Sequence, residues 1–128
     1  RSVPHAKGVN NHMGSGFTKD ERGMLVVINT LKKHRLFFLD SLTTPDSVGF
    51  KLARAQGLKT GSRDIFLDDD DDLKAIEIQW NKLLRQARQR GHAIAIGHPR
   101  KNTLQFLRKV LRDNKEITVV PLSALLVE

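Results

Sequence analysis

Apolar positions along the chain follow two patterns, a helical spacing of three and four residues and short runs that are wholly apolar. The helical spacing predicts four helices, which cover 18–34, 45–56, 73–90 and 102–113. The apolar runs predict strands, which lie at 36–39, within 58–67, at 93–96 and at 117–120. Because helices and strands alternate, the sequence predicts an α/β fold with a parallel sheet covered by helices.

Capping signals mark the ends of these helices. Thr18 and Glu21 match the capping box that opens a helix, and Gly57 and Gly91 can end helices in the left-handed conformation. Gly61 is expected to form a bend or bulge in its strand. The stripes expected to face the core are Met24, Ile28 and Leu31, then Leu73, Ile76, Trp80, Leu83, Leu84 and Ala87, and finally Leu104, Leu107 and Leu111.

Composition narrows the class of protein. With 128 residues, 39% of them hydrophobic and 28% charged, the chain has the size and balance of one soluble globular domain. No apolar stretch approaches the roughly 20 residues of a membrane-spanning helix. The absence of cysteine excludes disulfides, thiolate metal sites and a cysteine nucleophile.

The net charge of +8 raises the question of an anionic partner. The segment Lys74–Lys115 carries eleven basic residues and only two acidic ones, and much of this charge lies on the polar faces of predicted helices. The sequence lacks helix-turn-helix spacing, a zinc finger and an aromatic RNA-binding signature. A solvated basic face therefore explains the charge better than nucleic-acid binding, which rests on charge alone.

Polar residues that can do chemistry follow the predicted strands, where parallel α/β folds place their sites. Asp40 and Ser41 follow the run at 36–39, Asp64 and Asp68 flank the next strand, and His98 follows the run at 93–96. His12 lies in a Gly/Asn-rich loop before the first helix. Such groups suit a divalent metal that activates water, although each can also be an ordinary cap, turn or surface residue. The acidic run 68–72 lacks the glycine and glutamate of an EF-hand, and its later aspartates are better explained as caps of the third helix.

Four segments in order, GVNNHMGS, FFLDSLTT, RDIFLDDD and AIAIGHP, resemble the divergent polysaccharide deacetylase family. The resemblance runs from about Val3 to Leu126. It implies a partial irregular (β/α) barrel of the glycoside hydrolase/deacetylase type. It also implies metal-dependent removal of N-acetyl groups from a polysaccharide or peptidoglycan-like glycan, in the periplasm or elsewhere outside the cytoplasm, because family members are typically exported to the cell envelope.

The resemblance also implies roles for individual residues. His98 matches the histidine that protonates the leaving amine, with Asp64 or Asp68 as the aspartate that orients it. His12 matches one metal-binding histidine, but Gly16 stands where the second is expected, and Asp40 is a candidate replacement ligand; the metal implied is zinc. The predicted substrate contacts are Asn11, Ser15, Ser41 and Arg63.

The parent enzymes also carry an Asp-Asp pair on an early strand, and nothing in residues 1–7 can replace it. A closed barrel needs about 200 residues or more. We therefore expect one domain, 1–128, that corresponds to the C-terminal part of a family member, is inactive as it stands and self-associates. The alternative to an enzyme is a noncatalytic envelope module that binds glycan or protein through a degraded cleft.

Overall fold

The computed structural model describes residues 3–128, so Arg1 and Ser2 of the N-terminal stretch considered above lie outside the described residues. The chain divides into two compact units. The first runs up to Ser62 and includes Leu126–Glu128, and the second is Arg63–Leu125. Each unit has its own parallel sheet and its own core.

The first unit is built on three parallel strands in the order β1-β2-β3. Its elements are β1 Gly8–Asn10, α1 Ser15–Thr18, α2 Glu21–Lys33, β2 Phe37–Asp40, α3 Gly49–Ala55 and β3 Thr60–Ser62. In the central strand, Leu39 pairs with Asn10 on one side and with Gly61 on the other. This register brings the polar residues that follow β1 and β2 to the same edge of the sheet.

The core of this unit contains the predicted stripe of the first long helix. Met24, Ile28 and Leu31 are buried, together with Phe38 and other apolar residues of β2 and α3. The predicted capping box is wrong, because Thr18 ends the short helix α1 and donates to the carbonyl oxygen of Ser15 (3.2 Å). Asp20 caps α2 instead, accepting a hydrogen bond from the backbone nitrogen of Arg22 (3.1 Å). Aspartate is as good a cap as threonine, so the sequence offered two competing starts.

The glycines near the third strand behave in two ways. Gly57 follows α3 with φ of +65°, which confirms the predicted left-handed end. The predicted start of this helix at residue 45 is wrong, because residues 44–47 form a turn and α3 begins at Gly49. Gly61 lies inside β3 and pairs with Leu39, so the expected bend is wrong there; the chain bends at Asp64.

The second unit pairs two short parallel strands and covers them with two long helices. Its elements are β4 Ile65–Phe66, α4 Leu73–Arg90, β5 Ala95–Ile96, α5 Lys101–Asp113 and the 3₁₀ turn Leu122–Ala124. The ends of α4 are as predicted, with the Asp72 side chain accepting from the first turn and Gly91 at φ of +86°. Ile76, Trp80 and Leu83 of the predicted stripe are buried in its core.

Three predictions about the second unit are wrong. Leu73, the first residue of the stripe predicted for α4, is 41% exposed, and the buried part of the stripe begins one turn later at Ile76. Leu104 and Leu111 are 49% and 42% exposed, because the inner face of α5 is formed by Thr103, Phe106, Leu107 and Val110. Residues 117–120 form no strand. The side chain of Asn114 accepts from the backbone nitrogen of Ile117 (3.1 Å) and donates to its carbonyl oxygen (2.7 Å), so a local turn takes up groups that a strand would pair.

The α/β class and the alternation of parallel strands with helices are confirmed. Within residues 3–128, no helix is long and apolar enough to cross a membrane.

Candidate functional site

The predicted site residues fall into two groups, one at the strand ends of each unit. Asn11, His12, Ser15, Asp40 and Ser41 belong to the first unit, and Arg63, Asp64, Asp68 and His98 belong to the second. The two groups have different chemistry, as their hydrogen-bond partners show.

Asp40 is the last residue of β2 and is fully buried. Its Oδ1 accepts from the side-chain nitrogen of Asn11 (3.2 Å) and the backbone nitrogen of Leu42 (3.0 Å). Its Oδ2 accepts from the hydroxyl of Ser47 (2.7 Å) and the backbone nitrogen of Phe50 (3.0 Å). Since a carboxylate has about four acceptor sites, protein donors already use the full capacity of this one.

Asn11 and Ser41 join the loop after β1 to the end of β2. The Oδ1 of Asn11 accepts from the backbone nitrogen of Ser41 (2.7 Å), and its amide nitrogen donates to Asp40. Ser41 is fully buried, and its hydroxyl oxygen accepts from the side chain of Asn10 (3.0 Å). Ser15 contacts Thr43, with 3.4 Å between their hydroxyl oxygens. The substrate contacts predicted for Asn11, Ser15 and Ser41 stay predictions, and here these side chains bond within the protein.

His12 lies in the loop between β1 and α1, directly after Asn11, and is exposed. Among residues 3–128, no group of three or more His, Cys, Asp or Glu side chains is placed so that it could hold a metal ion. The zinc site predicted at His12 and Asp40 therefore lacks a complete set of ligands in the described part of the chain. The donors around Asp40 also leave it no unused acceptor site for a metal.

Asp68 in the second unit is also fully buried, but one of its partners is titratable. Its Oδ2 accepts from the backbone nitrogen of His98 (2.7 Å) and the hydroxyl of Thr103 (2.6 Å). Its Oδ1 lies 2.9 Å from Nδ1 of the His98 ring. Asp68 follows β4 and His98 follows β5, so the parallel pairing of these strands brings the two residues together.

The charge of Asp68 decides how the histidine is protonated. Burial alone raises the pKa of Asp68, but hydrogen bonds from Thr103 and His98 oppose it and hold the pKa below its ordinary value. An ionised carboxylate only accepts hydrogen bonds, so Nδ1 of His98 donates to it and Nε2 lies at the opposite edge of the ring. The imidazole is 27% exposed, which allows it to exchange protons with a bound molecule or with water.

Phe66 lies next to the histidine, and Arg63 lies next to Phe66. The ring centroids of Phe66 and His98 are 5.6 Å apart, and the Arg63 guanidinium carbon lies 5.4 Å from the centroid of the Phe66 ring. The arginine is thus held on Phe66 by a cation–π contact. This position is compatible with the predicted role of Arg63 in substrate binding, which stays a prediction.

The two candidate orienting aspartates are distinguished by their contacts. Asp64 accepts from Nη1 of Arg90 (2.7 Å) and from the backbone nitrogen of Ile94 (2.8 Å). Asp68 is the one whose carboxylate contacts His98. Thr103 is not among the residues predicted for the site, although a polar residue on the core-facing stripe of α5 is the signal that could have revealed it.

Comparison with known proteins places the whole chain in one family. The family profile described as divergent polysaccharide deacetylase matches residues 1–126. The chain is 39% identical over 128 residues to the uncharacterized protein YibQ of Escherichia coli and 44% identical over 114 residues to an uncharacterized protein of Haemophilus influenzae. It spans 40% and 41% of the lengths of these relatives. A crystal structure of an uncharacterized protein from Agrobacterium tumefaciens matches with a TM-score of 0.88 and 27% identity, over 93% of this chain and 49% of the other.

Proposed function

Because the chain belongs to the divergent polysaccharide deacetylase family, we propose that it takes part in hydrolysing N-acetyl groups on a glycan of the bacterial cell envelope. The observation that carries the proposal is the pair formed by Asp68 and His98, a buried carboxylate bonded to a partly exposed imidazole. Such a pair is suited to proton transfer in acyl chemistry.

In this proposal His98 is the proton donor. Hydrolysis adds the oxygen of water to the acetyl carbon and breaks the bond from that carbon to nitrogen. The leaving amine therefore gains a proton, and the attacking water loses one to the solvent, from which His98 is protonated again. Protonated His98 supplies the proton of the amine from Nε2, while Nδ1 keeps its hydrogen bond to Asp68. Asp68 stays ionised throughout, stabilises the imidazolium and fixes the orientation of the ring.

The metal implied by the resemblance does not fit the residues present. Four protein donors are hydrogen-bonded to the carboxylate of Asp40. Within residues 3–128, no three potential ligands are placed so that they could hold a metal ion together. The reaction proposed for the described residues therefore includes no step at a metal ion. We propose further that the 128-residue chain by itself lacks metal-dependent turnover. Acetate release from an N-acetylglucosamine oligomer by the purified chain, measured with and without zinc, tests this.

A noncatalytic glycan-binding module is the second candidate, and two observations favour it. Gly16 replaces the second metal-binding histidine of the parent enzymes, and Asp40 is bonded as a structural residue. A binding module would use the border of His98, Phe66 and Arg63 to contact sugar without hydrolysis. In either case we propose a location outside the cytoplasm, where envelope glycans are found.

The deciding experiment uses N-acetylglucosamine oligomers and peptidoglycan fragments as probes. We expect either probe to shift the NMR signals of His98 and Phe66 in this chain. His98→Gln should weaken binding, and His92→Gln, which changes an exposed histidine of the same unit, should not.

Acetate release is then measured with the longer relative from Escherichia coli. Release supports the deacetylase proposal, whereas binding without release supports the noncatalytic module. Failure of both proteins to bind either probe overturns the proposed function.

A further inference from the structure

The N-terminal end of α5 holds the segment that follows β4 through three side-chain donors. Nη1 of Arg100 donates to the carbonyl oxygen of Asp68 (2.7 Å), and the amide of Asn102 donates to the carbonyl oxygen of Asp71 (3.0 Å). Both of these hydrogen bonds are accepted by backbone carbonyl oxygens. Thr103 differs, because its hydroxyl donates to the carboxylate of Asp68 (2.6 Å).

Thr103 is 2% exposed and lies on the face of α5 that packs on the core beside Phe106 and Leu107. A hydroxyl on such a face is unfavourable unless it is hydrogen-bonded. Its bond to Asp68 is short and charge-assisted, the stronger class of hydrogen bond. The contact therefore accounts for a polar residue at a position where the helix otherwise presents apolar side chains.

The two carboxylate oxygens of Asp68 have different hydrogen-bond partners. Oδ2 accepts from Thr103 and from the backbone nitrogen of His98, which leaves Oδ1 directed at Nδ1 of the imidazole. Removing the hydroxyl would leave Oδ2 with one donor fewer, and the carboxylate could then rotate or bind a proton more readily. Either change weakens the preference of His98 for carrying its proton on Nδ1.

We propose that Thr103 is a positioning residue, whose hydroxyl orients the carboxylate of Asp68 so that His98 is held with its proton on Nδ1. The catalytic value of this arrangement rests on the proposed function. The positioning itself does not, because the protonated nitrogen of a histidine can be observed without substrate.

The test compares three variants by ¹⁵N NMR of the histidine rings at a pH where His98 is neutral. Thr103→Val keeps the shape but removes the hydroxyl, and we expect a mixture of the two neutral His98 tautomers. Thr103→Ser restores the hydroxyl and should restore the single Nδ1–H form. Asn102→Ala is the matched control, since it removes a bond from the same helix turn without touching the carboxylate.

A single Nδ1–H form in Thr103→Val, with a folded circular dichroism spectrum, overturns the proposal. So does a mixture in Asn102→Ala that equals that in Thr103→Val. If Thr103→Val does not fold, the Thr103 hydroxyl proton of the unmodified chain is measured instead. It should exchange slowly and be shifted downfield by the carboxylate, and the absence of that signal contradicts the proposed bond.

Activity provides a separate readout. If a protein containing this pair releases acetate, Thr103→Val should lower kcat about tenfold with little change in KM, part of the 10²–10⁴-fold that general acid–base catalysis contributes. If no variant releases acetate but Thr103→Val changes the tautomer, the proposed deacetylase function is refuted. The positioning role of Thr103 is then still supported. An unchanged kcat in a folded Thr103→Val variant of an active protein refutes the catalytic value of this positioning.

Discussion

Replacing Asp40 tests whether this buried carboxylate is a structural residue or a metal ligand. Asp40→Ala removes the acceptor of four hydrogen bonds, two at each oxygen. One buried donor left unsatisfied costs about 1–3 kcal/mol. Release of a buried charge and entry of water offset part of this sum, so we expect a loss of about 4 kcal/mol, which is large for one substitution.

Amide hydrogen exchange is the suitable assay, because it measures the free energy of opening locally in the first unit. The amide of Phe50 is a sensitive probe, since it donates directly to Asp40. Ser47→Ala removes one of the four donors and should cost about 1 kcal/mol. Asp46→Ala is the matched control: its exposed carboxylate pairs with Lys19 at the surface (3.0 Å), so its loss should change stability by less than about 0.5 kcal/mol.

The metal-ligand hypothesis makes the opposite forecast. If Asp40 serves mainly to bind zinc, the metal-free Asp40→Ala variant should lose less than about 1 kcal/mol, because a ligand site without its metal is a buried charge of little benefit. Zinc should then stabilise the unmodified chain and not the variant. That pair of results would refute the structural assignment of Asp40.

Three further predictions concern acid stability, the face of α5 and self-association. Because the pKa of Asp68 is lowered in the folded chain, the unfolded chain binds more protons in acid, so stability is lost as the pH falls through the ordinary and then the lowered value. Thr103→Val should flatten this loss, as measured by denaturation followed by tryptophan fluorescence at a series of pH values. Leu107→Ala, which truncates a partly buried side chain packed on the core, should cost about 1–2 kcal/mol. Leu104→Ala, at a half-exposed position, should cost about 0.5 kcal/mol in the same denaturation series. Light scattering should show the self-association expected from the sequence. Val119→Lys, which places a charge at an exposed apolar residue of the segment 117–120, should reduce it; a monomer at high concentration contradicts this expectation.

Local signals predicted the elements that local interactions decide. The ends of α4 were predictable because Asp72 and Gly91 act within one turn of the helix. The strand predicted at 117–120 failed because β-forming residues need a partner strand, and residue type does not specify one. The prediction of which face of α5 is buried was wrong because Thr103 interrupts the apolar stripe on the buried face. The exposed leucines at 104 and 111 form a more regular apolar spacing.

The candidate site was predictable in its residues but not in its pairing. Asp64 and Asp68 flank the same short strand, and both are plausible partners for a histidine after the neighbouring strand. The choice depends on Arg90 and Ile94, which engage Asp64, and on Thr103, which reaches Asp68 from 35 residues along the chain. None of these contacts follows from spacing in the sequence.

The geometry around Asp68 makes a final prediction about an isosteric substitution. In Asp68→Asn, the side-chain oxygen should occupy the Oδ2 position, because the backbone nitrogen of His98 is an obligatory donor there and Thr103 donates to the same atom. The new amide nitrogen then faces Nδ1 of His98 and must donate to it, so the ring changes to the tautomer with its proton on Nε2. No hydrogen bond is lost, and we expect the variant to fold with only a modest loss of stability. ¹⁵N NMR of the imidazole should show the changed tautomer, and any deacetylation that depends on His98 should fall by orders of magnitude, about 10⁴-fold where an aspartate of this kind has been replaced in a hydrolase. Retention of the Nδ1–H form in the folded variant would show that Asp68 does not determine the protonation of His98.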